Sequence, residues 1–159
     1  MKNKLLIIAI SAFLGASLVG CASNLVKGPE RTTLELQQLQ TREYDTTVKL
    51  AVSAVMSVFQ DCGYVVSTAD LETGLVVAKS PSTQRMVAFN GRFTNYEKAT
   101  ALVEQVAKNR VRIRVSVLQY ERVTGAGMTG EEEVPRTDAE VYQNIFAKIQ
   151  KAIFLKENL

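Results

Sequence analysis

Few side chains in this sequence could take part in chemistry, and their spacing restricts what they can do. Two acidic pairs stand out: Asp70 with Glu72, and Glu131 with Glu133 inside the run Glu131, Glu132, Glu133. Paired carboxylates do general acid–base work only where a cleft displaces one of their pKa values. Both pairs sit in turn-like sequence beside glycine and threonine, where carboxylates are solvated, so no catalytic residue and no enzyme activity is expected. Histidine is absent from the chain. That excludes Cys-His and Ser-His nucleophile pairs and the His-containing zinc sites, and neither a metal nor a cofactor is expected. The two cysteines are Cys21 and Cys62. Cys62 ends a helical pattern just before Gly63 and reads as a small buried hydrophobe.

Cys21 stands in a different context. Lys2 and Lys4 precede an uncharged, mostly apolar stretch that runs from Leu5 to Gly20. That stretch falls short of the roughly 20 residues a helix needs to cross a bilayer, and with its basic start it reads as an export signal. The tetrapeptide Leu18, Val19, Gly20, Cys21 resembles the lipobox of bacterial lipoproteins. The resemblance implies that Cys21 becomes the first mature residue, with a diacylglycerol on its sulfur and a third acyl chain, such as palmitate, on its amine. Each buried methylene contributes about 0.8 kcal/mol, so three chains anchor permanently. Ala22 and Ser23 follow the cysteine, with no aspartate, and the resemblance then implies the periplasmic face of the outer membrane. Residues 1–20 are thus expected to be a signal peptide, 21–33 the lipidated cysteine and its tether, and 34–159 one periplasmic domain. With Cys21 acylated, Cys62 has no disulfide partner within the chain.

Removing Lys2 and Lys4 leaves 17 Lys and Arg against 16 Asp and Glu, a net charge of about +1. The pI near 8.9 belongs to the whole chain, and a nucleic-acid footprint would need positive charge clustered on one face. Arg110, Arg112 and Arg114 come closest, but they alternate along a strand pattern and read as a solvated face. No nucleic-acid partner is expected.

The elements that must hold any site follow from periodicity. Leu34 to Tyr44 reads as a strand. Asp45, Thr46 or Thr47 offers an N-cap for a helix in which Val48, Ala51, Val52, Val55, Met56, Phe59 and Cys62 recur at helical spacing, and Gly63 stops it. Tyr64 to Thr68 and Leu75 to Lys79 read as an antiparallel hairpin, and Arg85 to Phe89 extends the sheet. Asn95 to Lys108 has helical character. Arg110 to Arg122 alternates as a strand with one wet face. Val123 to Thr137 reads as a loop. Asp138 then caps a final helix with an apolar stripe through Val141, Tyr142, Ile145, Phe146, Ile149 and Ile153. The economical arrangement is an α+β domain of two layers, an antiparallel sheet with helices packed on one face.

This order, with the lipobox, resembles the helix-grip domains of a lipoprotein component of the outer-membrane β-barrel assembly machine. The segments Gln40 to Asp45, Phe59 to Tyr64 and Val141 to Phe146 look like those of a family of small, uncharacterised bacterial outer-membrane lipoproteins. The resemblance implies a helix-grip-like fold and an envelope location, and brings no catalytic residue with it.

The leading expectation is a non-enzymatic, tethered interaction module with an envelope protein partner in an assembly or secretion complex. Its expected surface is the Val123 to Thr137 loop, with Gly125, Met128, Glu131, Glu132 and Glu133, although the same loop also reads as a solvated connection. The alternative is a binder of a small apolar ligand in a groove between the terminal helix and the sheet, lined by Tyr142, Tyr120 and Phe146.

Overall fold

In the computed structural model, residues 32–87, 91–125 and 127–158 are described. Cys21 and the lipobox lie outside them. The first element corrects a sequence expectation, because residues 34–40 are helical. Helix α1 (Thr33–Gln40) opens on a capping box, in which Thr32 Oγ1 accepts from the Glu35 amide at 3.3 Å and the Glu35 carboxylate accepts from the Thr32 amide at 2.9 Å. The Thr-x-x-Glu signature and a run of Gln and Leu, none branched at Cβ, favour a helix over the strand that the Leu34/Leu36 alternation mimics. Only β1 (Thr41–Tyr44) is extended.

Helix α2 (Val48–Asp61) is capped by Thr47, whose side chain accepts from the Leu50 amide. It ends in a Schellman motif: the Tyr64 amide donates to the Phe59 carbonyl, the Gly63 amide donates to the Gln60 carbonyl, and Gly63 has φ +84°. The Phe59 and Tyr64 rings close the motif with centroids 6.0 Å apart. Strands β2 (Val65–Ala69) and β3 (Leu75–Lys79) form the expected hairpin. Gly74 in its loop lies so close to the Val103 carbonyl that a Cβ there would collide with it. Strand β4 (Thr83–Val87) follows.

The second correction is larger. Residues 95–107 belong to β5 (Gly91–Ala107), which pairs with β6 (Arg110–Gly125) along nearly its whole length, from Arg92 opposite Thr124 to Ala107 opposite Arg110, and Lys108 lies in the turn between them. The apolar positions that mimic a helix are shared between two faces: Ala99 and Val103 are buried under the helices, while Tyr96 and Leu102 lie on the other side. The segment 123–137 is also no loop. Strand β6 turns directly into β7 (Met128–Pro135), with Gly125 opposite Met128 and Leu118 opposite Pro135. Helix α3 (Ala139–Glu157) closes the fold with Asp138 at its N-cap, although the Asp138 carboxylate bonds Arg136 at 3.0 Å in place of the helix amides.

All pairings are antiparallel, with strand order β1-β6-β5-β3-β2; β4 pairs with β5 and β7 with β6. Helices α2 and α3 pack on one face. Val52, Val55, Val58 and Phe59 from α2 and Tyr142, Ile145, Phe146 and Ile149 from α3 join Val76, Ala78, Val111, Ile113, Val115 and Val117 of the sheet in one hydrophobic cluster. The fold is α+β, two-layered and helix-grip-like. Its other sheet face is uncovered by any element among the described residues.

Candidate interaction surface

Strand pleat and register decide what this open face displays. Side chains one pleat out from the buried positions line it: Leu75, Val77 and Lys79 on β3; Arg92, Thr94, Tyr96, Lys98, Thr100 and Leu102 on β5; Arg112, Arg114, Ser116, Leu118, Tyr120 and Arg122 on β6. Leu75, Val77, Leu102 and Leu118 are half-buried on it by their neighbours alone, and Val65 of β2, opposite Lys79, is 66% exposed.

Tyr96 and Tyr120 are direct cross-strand partners, and their rings stack with centroids 4.7 Å apart and planes 3° from parallel. Lys79 Nζ lies 3.7 Å from the centroid of the Tyr96 ring. Cation, ring and ring thus form a ladder across β3, β5 and β6, with cation–π and aromatic pairing each adding to simple contact area. Strand β7 locks the hydroxyl ends. Tyr96 donates to Glu131 at 2.9 Å, Tyr120 stands directly opposite Glu133, and Arg122 pairs with Glu131 at 2.9 Å. Desolvation, then the hydrogen bond to a glutamate, pushes both phenols above their ordinary pKa. Arg122, then Tyr96, holds the Glu131 carboxyl below its own.

The residues that the sequence singles out are redistributed. Glu131 and Glu133 face the open side, while Glu132, opposite Glu121, faces the other. They form a strand edge that braces the tyrosines. Gly125 and Met128 close the β6–β7 hairpin. Asp70 is spent on its turn, accepting from the Glu72 amide at 2.9 Å and the Thr73 hydroxyl at 2.7 Å, and these bonds, that of Thr73 first, lower its pKa. Cys62, half-buried, has its sulfur 3.6 Å from Lys148 Nζ. Arg110 and Arg112 pair with Asp45 and Glu43, each at 2.8 Å, on an exposed face as expected.

The three residues expected to line an apolar groove are not brought together. Tyr142 is fully buried and Phe146 nearly so, both inside the core, whereas Tyr120 stands on the opposite face of the sheet. Where the helices end, Glu97 is clamped instead: one carboxylate oxygen accepts from the Tyr64 hydroxyl at 2.6 Å, and the other accepts from Gln119 and Arg136. Burial, then this bond to Glu97, raises the Tyr64 pKa. With both oxygens engaged, the cluster is a structural tie. Among the described residues no group of His, Cys, Asp or Glu is placed to hold a metal, and no helix is long and apolar enough to cross a membrane.

Lys79, Tyr96 and Arg92 are absent from the sequence-based candidates. Reading 95–108 as a helix takes Tyr96 off the sheet. The available signal is the period-2 run Thr94, Tyr96, Lys98, Thr100 beside small Ala99 and Ala101.

No protein-family profile and no curated protein matches the chain. Among solved structures it is similar to a TBP-like protein from Parabacteroides distasonis ATCC 8503, with 10% identity and a TM-score of 0.36, covering 71% of this chain and 90% of that one.

Proposed function

We propose that this chain is a non-enzymatic interaction module, lipid-anchored through Cys21 at the periplasmic face of the outer membrane, which offers its open sheet face to a protein partner in an envelope assembly or secretion complex. The observation that carries this reading is the stacked Tyr96–Tyr120 pair beneath Lys79, standing on a sheet face that no helix among the described residues covers. Tyrosine is enriched at protein interfaces. A ring already held by a stack, a cation and a hydrogen bond loses little further rotamer freedom when a partner docks. The acyl chains supply the membrane partner, and no catalytic group is invoked.

The test places a photo-crosslinking amino acid at Thr100, central on the open face, or at Gln60, exposed on α2, in the full-length chain in intact cells. An envelope protein captured from Thr100 and not from Gln60 is the expected result. Equal capture from both positions, or none from Thr100, refutes the proposal. Cys21→Ser is expected to abolish palmitate labelling and membrane retention.

A further inference from the structure

Resting on that reading of the chain as an interaction module, we infer that the free edge of β4 takes up an extended, acid-bearing segment of a partner protein as an added strand. The outer strands of this sheet differ in how they are defended. Strand β7 carries Glu131, Glu132 and Glu133 and ends at Pro135. Strand β2 is interrupted by an irregularity between Val66 and Thr68. Strand β1 has four residues, including the exposed Arg42 and Glu43. Charge, proline, bulges and brevity are the devices that keep a sheet edge from pairing. Strand β4 has neither proline nor bulge along its register with β5, from Thr83 opposite Asn95 to Val87 opposite Gly91, and its one charge is Arg85. Its Met86 is 73% exposed. Among the described residues β4 pairs with β5 alone; β2 fills the row beside β3, and the row beside β4 is open.

Added strands gain affinity from backbone hydrogen bonds and specificity from alternate side chains. Beside this edge the open face forms a depression of about 690 Å³, lined among others by Lys79, Gln84, Met86, Arg92, Tyr96 and Arg122. Three of those six are cations; Arg122 is paired with Glu131, while Lys79 and Arg92 make no ion pair among the described residues. Arg92 stands directly opposite Met86, one strand in from the edge, and makes no ion pair among the described residues. On the reverse face Arg85 lies over the Phe93 ring at 5.4 Å. Each face of the edge therefore carries a cation with no ion pair among the described residues, Arg92 on one and Arg85 on the other. The backbone groups on the outer edge of β4 give the added strand its ladder, and charge selects an acidic segment over a basic one.

The probe is a fluorescein-labelled, end-capped peptide of alternating glutamate and valine, with a lysine–valine counterpart, titrated into the purified full-length protein in detergent at low salt. Preferential binding of the glutamate peptide, weakened at least about tenfold by Arg92→Glu, is expected, with slowed hydrogen exchange of β4 amides. Backbone N-methylation at one of the two alternating residue sets is expected to weaken it at least about tenfold, because only one set faces β4. Equal affinity for both peptides, an unaffected Arg92→Glu variant, or tolerance of methylation at both sets overturns the inference. So does protection of the same amides through self-association without peptide. If Thr100 still captures an envelope protein while the glutamate peptide fails to bind, the interaction module stands and the β4 assignment alone falls.

Discussion

The side-chain amide of Gln40 donates to the hydroxyl of Tyr142 at 3.1 Å, tying the end of α1 to the start of α3. The same hydroxyl donates to the Arg136 carbonyl at 3.0 Å and accepts from the Val117 amide at 3.4 Å. One donor and two acceptor sites are all that a hydroxyl offers, so this oxygen is saturated, and it lies where both Gln40 and Tyr142 are buried. Tyr142→Phe leaves two donors and a carbonyl without a partner. The expected loss is about 1–3 kcal/mol, read from urea unfolding with an unchanged m-value. A loss below about 0.5 kcal/mol would mean that water or a rearranged Gln40 takes the place of the hydroxyl.

Gly74 and Gly130 give a second, paired test. Gly74 has φ +70°, and a Cβ there would run into the Val103 carbonyl, while its own carbonyl accepts from the Val103 amide at 2.9 Å. Its substitution by alanine must push the β2–β3 hairpin off β5, with an expected cost well above about 1 kcal/mol. Nothing lies within 4 Å of a Cβ built at Gly130, and alanine there is expected to change stability by less than about 0.5 kcal/mol. Thermal melts of Gly74→Ala and Gly130→Ala read both. Equal melting temperatures would mean that β3 sits farther from β5 than this geometry requires.

Elements with a single clean period were legible in the sequence. Val48 to Cys62 repeats at three and four residues because only one face of α2 is buried, and Val111 to Val117 alternates because β6 has helices on one side and solvent on the other. The Gly63 stop and the β2–β3 hairpin are local chemistry and were equally plain. Segments whose state depends on distant partners were not legible. Lys98 to Ala107 has good helix formers, yet β6 pairs along the whole segment and β3 along Lys98 to Leu102, and these ladders outweigh local preference. Glu131 to Glu133 follows no strand pattern because the edge position of β7 leaves both of its faces wet. The candidate surface depends on those two strands, since Tyr96 meets Tyr120 only once β5 is recognised as a strand. The Cys21 motif needs no tertiary context, which is why it stands out from sequence alone.

The tyrosines make stability depend on alkaline pH. Tyr44 donates its hydroxyl to the Phe146 carbonyl at 3.1 Å, and burial pushes its pKa up to about 12, with Arg42 pulling the other way. In the unfolded chain the phenol titrates near 10. A folded pKa above the unfolded one gives stability that is fully present below about pH 10 and is lost as pH rises through about 12. Tyr64 shifts in the same direction and adds to the fall. Unfolding free energy measured from pH 8 to 12 is expected to be level with respect to these groups up to about 10 and then to drop, more shallowly in Tyr44→Phe. An unchanged slope in that variant would mean that the Tyr44 hydroxyl is solvated.

The last prediction separates the tyrosine ladder's contribution to binding from its contribution to folding. Tyr96 sits on the face away from the helices and takes no part in the hydrophobic cluster, so its truncation removes surface contacts and leaves the core intact. Tyr96→Ala is expected to abolish capture of the partner from Thr100 while far-ultraviolet circular dichroism and the α2–α3 core are preserved. Tyr96→Phe keeps the ring between Lys79 and Tyr120 and gives up only the hydrogen bond to Glu131. Capture in this variant should therefore stay close to that of the parent chain, because stacking area and the cation–π contact survive. If phenylalanine fails as completely as alanine, the hydroxyl and Glu131 hold the partner and the aromatic face does not. If alanine captures as well as tyrosine, the ladder is a brace between strands and the docking surface lies elsewhere on the sheet.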